Sequence, residues 1–241
     1  MEGIGMTSSL RSFYGLPGIP GDPFFLLEAK AGKYNLPESG SATEHEFSSL
    51  MGLVADPRLI DEFQCFLPLI RGMSGWVAFA PDISELGFCY RSEDYPVLGA
   101  HGISWLLVLR PGDRFGQPGL KDLFAHELAH LYAGEGHGVA FAIALNAIRS
   151  RCGLPPTTDP YDVQEAFGEF DFDIDPVEAA KIAPNWCADI GFALAASDDL
   201  ASTLFVGIEM VRSRLWLAES EIRSIEDLTR LGRELKDSLA C

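Results

Sequence analysis

Apolar and polar positions change their rhythm several times along this chain, and each change marks an expected element. Residues 1–42 place Pro17, Pro20, Pro23 and Pro37 among Gly and Ser, which interrupts any helix and predicts a loosely ordered arm. From Glu44 the spacing turns helical. Asp56-Pro57 then offers an N-cap followed by proline at the first helical position, for a helix running to about Ile70. Beyond Gly72 and Gly75 come three strand-like runs, Trp76–Ala80, Leu86–Tyr90 and Ile103–Leu109, the last closed by the turn Arg110-Pro111-Gly112-Asp113.

The second half reads as helices. One begins near Leu120, and another, VAFAIALNAIRSR, covers Val139–Arg151 and stops at Cys152-Gly153 before Pro155-Pro156. The acidic stretch Thr157–Ala196 predicts a helix over Asp162–Phe167 and a further one after Asp175-Pro176. Two helices, about Asp199–Leu217 and Glu221–Leu239, finish the chain. Strands followed by helices predict an α+β fold, with a small mixed or antiparallel sheet packed on the helix near Leu120 and additional C-terminal helices. The expected division is an arm over 1–42, a central domain over 43–153 and an acidic, mostly helical region over 154–241.

Charge narrows the partners. In 241 residues, 18 Lys and Arg face 35 Asp and Glu, a formal net charge of -17. Nucleic acids and anionic membrane surfaces both ask for a basic footprint, so neither is an expected partner. The five cysteines, Cys65, Cys89, Cys152, Cys187 and Cys241, are widely spread and never paired as C-x-x-C, the pattern of reduced thiols. No cationic segment followed by an apolar run opens the chain, and no apolar stretch reaches the length of a membrane span. The expectation is a cytoplasmic protein.

One motif carries chemistry. His126-Glu127-Leu128-Ala129-His130 is an H-E-x-x-H pattern inside a segment that is helical on independent grounds. Composition alone would produce it in roughly one such chain in a hundred. Helical spacing puts the two imidazoles on one face, one turn apart, where they can share a zinc ion. Glu127 projects into the apolar sector of Leu120, Leu123, Phe124, Leu128 and Leu131, where a lone carboxylate costs several kcal/mol unless compensated. His137 falls in the same twelve-residue window, so His126, His130 and His137 supply the three protein ligands of a catalytic Zn2+ site with a fourth position left for water.

The third ligand distinguishes kinds of zinc peptidase. In the metzincin pattern the Gly is third and the last His sixth after the second His, whereas here Gly134 is fourth and His137 seventh, and Met210 lies in a helical run. A thermolysin-type Glu on the next helix is missing too, because Val139–Arg151 contains no acid. The helix with His126 and His130, the turn through Gly134 and Gly136, and His137-Gly138-x-x-Phe141 resemble the SprT-like (Spartan-like) zinc metallopeptidases. In these an H-E-x-x-H helix is followed by a G-H-G-x-x-F segment. Gly87-Phe88-Cys89-Tyr90 and Ile103–Leu109 lie where that family has strands, so the resemblance covers roughly 76–151. It implies a zincin-like core, with His126, His130 and His137 as ligands and Glu127 as catalytic base. Val139-Ala140 replaces the family's usual Pro-Glu. The Cys-rich zinc ribbon and basic DNA-binding surface of some members have no counterpart, so DNA-directed activity is not implied.

The expected activity is hydrolysis of a peptide bond through a metal-activated water with Glu127 as general base, on a protein or peptide substrate that is basic around the scissile bond. Two alternatives stand beside it: a non-catalytic zinc-binding interaction protein, docking through the rows Leu200–Leu215 and Ile222–Leu239, and a zinc hydrolase of a non-peptide amide. Tyr132 or His101 could polarise the carbonyl, Glu135 could be a fourth ligand, and Asp173 or Glu169 could partner a ligating histidine. The plainer readings of Tyr132 as packing, His101 as a turn cap and Glu135 as part of a flexible turn compete with these. The Asp171–Asp175 alternation lacks the Gly and Glu of an EF-hand loop and reads as a solvated edge.

Overall fold

The computed structural model describes residues 24–28, 54–55, 64–69, 75–79, 87–93, 104–109, 118–134, 136–157, 159–163 and 165–239. The chain divides into two compact units, one up to Leu123 and one from Phe124. That division falls within the helix carrying the motif.

The first unit contains a five-stranded mixed sheet in the order β2-β1-β3-β5-β4. Its strands are β1 (Phe24–Glu28), β2 (Val54–Ala55), β3 (Gly75–Phe79), β4 (Gly87–Arg91) and β5 (Trp105–Leu109). The pairs β1·β3 and β3·β5 are parallel, in register Phe24 with Gly75 and Gly75 with Trp105, whereas β2 and β4 close the two edges antiparallel. Trp105, Leu106, Leu107 and Leu109 are buried. Burial at consecutive positions means both faces of β5 are covered, which is what a continuous apolar run in the interior of a sheet requires.

Three expectations for this unit change. The arm over 1–42 contains β1, an inner strand of the sheet, because the run Phe24-Phe25-Leu26-Leu27 directly after Pro23 has the apolar density of a strand. The rest of the arm lies outside the described residues. The helical pattern from Glu44 gives way at Val54–Ala55 to a strand paired with β1. Of the helix expected from Asp56 to Ile70, residues 56–63 and 70 lie outside the described residues, and Gln64–Leu69 is a 3-10 helix. Pro68, which has no N–H to donate, is incompatible with a regular α-helical interior there.

Among the described residues six α-helices follow: α1 (Pro118–Ala133), α2 (Val139–Arg151), α3 (Pro160–Val163), α4 (Pro176–Ala195), α5 (Leu200–Ala218) and α6 (Ile225–Leu239). Ten consecutive residues of α2, Val139 to Ile148, are buried. A helix apolar on every side belongs at the centre, and α3, α4 and α5 all pack on α2. The approach of α4 depends on Gly191, where a Cβ would stand 2.8 Å from that of Asn146. On the other side of α4, Trp186 donates its indole N–H to the Leu228 carbonyl of α6 at 3.0 Å. The two aliphatic rows proposed as a docking surface are largely interior: Leu200, Leu204, Ile208, Val211, Leu215, Ile222, Leu228, Leu231 and Leu235 are all buried.

Local chemistry sets the helix ends. Asp175 caps α4 by accepting from the Val177 N–H at 2.9 Å, with Pro176 in the first turn. Ser224 and Asp227 form a reciprocal pair that starts α6 at Ile225, four residues later than the apolar pattern indicates. The helix expected over Asp162–Phe167 is instead Pro160–Val163, followed by turns across 165–169. Pro160, which has no N–H to donate, suits the first helical position. Among the described residues, Cys65, Cys89, Cys152 and Cys187 form no disulfide, and no helix is long and apolar enough to cross a membrane.

Candidate metal centre

Helix α1 carries His126 and His130 one turn apart and ends at Ala133. Gly134 then adopts φ 84°, the left-handed conformation that terminates a helix without the clash a Cβ would bring. Its N–H donates to the His130 carbonyl at 2.9 Å. Gly136, with φ 87°, continues the turn, and His137 arrives two residues before α2.

This turn folds three imidazoles onto one point. One ligand nitrogen from each of His126, His130 and His137 lies within 4.8 Å of the others. Nε2 of His126 and Nε2 of His137 are 3.2 Å apart. Two zinc–nitrogen bonds of about 2.0–2.1 Å at a tetrahedral angle imply nitrogens about 3.3–3.4 Å apart, so this pair is close to the required spacing. The ring of Phe141 packs against all three, at centroid distances of 4.9 Å to His126, 4.4 Å to His130 and 4.5 Å to His137. This group could hold a metal ion, and it is the one such group among the described residues.

The second ring nitrogens of His126 and His130 are engaged as well. Nδ1 of His126 lies 2.9 Å from Oδ1 of Asp162, and Nδ1 of His130 lies 3.0 Å from the Gly134 carbonyl. An ionised carboxylate and a carbonyl can only accept, so in each pair Nδ1 carries the proton and Nε2 keeps the lone pair. Burial makes the His130 and His137 rings resist protonation. It lowers the pKa of His130 to about 4, against an opposing pull from the Gly134 hydrogen bond, and lowers that of His137, with the neighbouring His126 adding to the effect. Neutral imidazole is the form that binds metal. Burial alone would raise the pKa of Asp162, but hydrogen bonds from His126 and Thr157 and the nearby histidines hold it below the ordinary carboxylate value.

Glu127 is buried, at 4 % exposure. Desolvation pushes its pKa up to about 7, with His126 pulling the other way. This carboxyl sits next in sequence to His126.

The remaining candidates are placed as follows. Tyr132 is buried against Phe205, ring centroids 4.9 Å apart, and burial pushes its hydroxyl pKa up. That is the packing role. His101 and Glu135 lie outside the described residues. Glu169 stands beside the start of α2, its Oε1 2.9 Å from where a Cβ on Gly138 would be, and pairs with Arg212 at 3.4 Å rather than with a ligand histidine. Asp173 is exposed in the loop before α4, where Asp171 and Asp175 are exposed too. The histidine partner missed by sequence reasoning is Asp162, 36 residues from His126. The available signal was Asp159-Pro160, the same cap-and-proline pair that starts α4, which moves the helix start and shows Asp162 on its first turn. Comparison with protein-family models, with curated proteins and with solved structures gives no match.

Proposed function

We propose that this protein is a zinc-dependent metallopeptidase with a zincin-like core. The reading is carried by one observation: three imidazoles on α1 and the following turn converge within 4.8 Å, immediately beside a buried glutamate. The donor set is all nitrogen with no thiolate, which suits zinc, and three protein ligands leave a coordination position open, as catalytic sites do and closed structural sites do not. A zinc ion held by His126, His130 and His137 would supply Lewis acidity toward a carbonyl and a bound water.

The protein's own residues do the rest. Their Nδ1 hydrogen bonds hold His126 and His130 with Nε2 presented for binding, and Phe141 keeps the three rings from rotating away. Glu127 takes the proton of the attacking water as the nucleophile forms and returns it to the leaving nitrogen as the peptide bond breaks. A net charge of -17 favours peptides with Lys or Arg near the scissile bond. Of the alternative activities, the interaction-protein reading loses its proposed surface, since most of those aliphatic residues are interior.

The test is Glu127→Gln. The variant should bind zinc as the wild type does while cleavage of a basic reporter peptide falls by about 10²–10⁴-fold. Undiminished cleavage would exclude the role of Glu127.

A further inference from the structure

Asp162 sits on α3, a four-residue helix, at a distance in sequence that no ligand-spacing pattern singles out. Its carboxylate is buried and both oxygens are engaged. Oδ1 accepts from His126 Nδ1 at 2.9 Å, and Oδ2 accepts from Thr157 Oγ1 at 2.7 Å. Thr157 is itself held, donating its backbone N–H to Asn146 Oδ1 at 3.1 Å. Asn146 in turn donates to the Ala142 carbonyl one turn earlier on α2 at 2.8 Å. A continuous hydrogen-bonded chain therefore runs from the central helix, through the loop before α3, to one imidazole of α1.

Packing does not account for this carboxylate. Val163 and Ala166 already supply buried apolar contacts in the same stretch, and an apolar residue in place of Asp162 would avoid the desolvation cost of a buried charge. Nor does the group cap a helix, because its two oxygens go to a ring nitrogen and a hydroxyl.

We propose that Asp162, held by Thr157 and Asn146, is a positioning residue for His126: it fixes the Nδ1–H tautomer and the ring plane, so that Nε2 faces the point where His130 and His137 converge. The inference rests on the reading of the three histidines as a metal centre. His130 receives the same service from a neutral carbonyl, that of Gly134. At His126 the acceptor is instead a carboxylate oxygen of Asp162. The α3 segment thus belongs to the metal centre, although it lies beyond the stretch that resembles a metallopeptidase.

The experiment uses the full chain and two readouts: zinc affinity by competition with a chromophoric chelator, and the tautomer of His126 in the metal-free protein by 15N NMR. Asp162→Ala should lower zinc affinity about 10–100-fold with the helical circular dichroism retained, and His126 should lose its single Nδ1–H tautomer. Asp162→Asn, which keeps an acceptor and loses the charge, should fall between the two. If Asp162→Ala does not fold, Thr157→Val decides, since it leaves the bond to His126 possible and removes one of the two restraints on the carboxylate; affinity should drop and the NMR signals of His126 broaden. Wild-type affinity with an unchanged tautomer in the folded variants would overturn the inference. His126→Ala separates the two claims. Zinc binding lost in His126→Ala but intact in Asp162→Ala would leave the metal centre standing and remove the positioning role, whereas a wild type that binds no zinc would remove both.

Discussion

Two stretches of the chain build the candidate centre, and they are read very differently from sequence. The α1–α2 stretch, residues 118–151, declares itself through local periodicity: the two imidazoles are four residues apart, the third follows a glycine turn, and Phe141 packs under all three. Residues 157–163 contribute an equally close contact, Asp162 to His126 at 2.9 Å, yet carry no repeat, no motif and one short helix. Ligands on a helix are fixed by helical geometry, which sequence spacing reports. Their hydrogen-bond partners are fixed by tertiary packing, which it does not.

That contrast can be tested by perturbing each side of it. The largest effect should come from Phe141→Ala in α2. Loss of a fully buried ring costs about 3–5 kcal/mol, read as a lower urea midpoint, and it also frees the three imidazoles, so zinc affinity should fall with stability. Retained affinity in the folded variant would show that the rings are held by their hydrogen bonds alone.

The next effect depends on pH and belongs to Glu127. In metal-free protein its folded pKa is raised to about 7 from an ordinary value of 4.5. Below pH 4.5 the carboxyl is protonated in both folded and unfolded chains and costs nothing. As pH rises towards 7 the unfolded chain ionises first, and the folded state loses stability. Glu127→Gln removes that penalty, so the variant should match the wild type near pH 4 and exceed it by roughly 3 kcal/mol at pH 8. His130 works in the opposite sense, its lowered pKa destabilising the fold as pH falls below 6.5. It is common to both proteins and cancels in the difference. Denaturant midpoints in excess chelator across this range measure the effect, and a pH-independent difference would contradict the buried, desolvated environment of Glu127.

The smallest effect lies at the junction of the two stretches. Asn146→Ala leaves the Thr157 N–H without its buried acceptor and should cost about 1–3 kcal/mol. Zinc affinity should weaken less than in a variant of Asp162 itself, because the bond to His126 remains. An affinity loss as large as that of Asp162→Ala would mean that Asn146, rather than the carboxylate, sets the ring.

What could be read in advance follows from where each signal resides. Val139–Arg151 matches the expected helix residue for residue, because a run that is apolar except for Asn146 ends in Arg149 and Arg151 and then Gly153, which takes φ 70°. The start of α6 was readable in Ser224-x-x-Asp227, and that of α3 in Asp159-Pro160, but apolar spacing masked both. Strand β1 was hidden by averaging, since prolines and glycines on either side outweigh the five residues Phe24–Glu28. Its parallel partner β3 begins 51 positions later in the register, beyond any local pattern. The mixed pairing of the sheet has the same origin, depending on chain crossovers and not on the residues of each strand.

The central claim is that His126, His130 and His137 together form one metal centre. Its most direct measurement is the zinc content and cobalt-substituted absorption spectrum of the purified full chain, beside the same measurements on His126→Ala, His130→Ala and His137→Ala. The account predicts one equivalent of zinc per chain, visible cobalt bands of the intensity typical of a tetrahedral site, and loss of both in every single variant. A chain without stoichiometric zinc, or one whose zinc and cobalt spectrum persist when any one of the three histidines is removed, would contradict it.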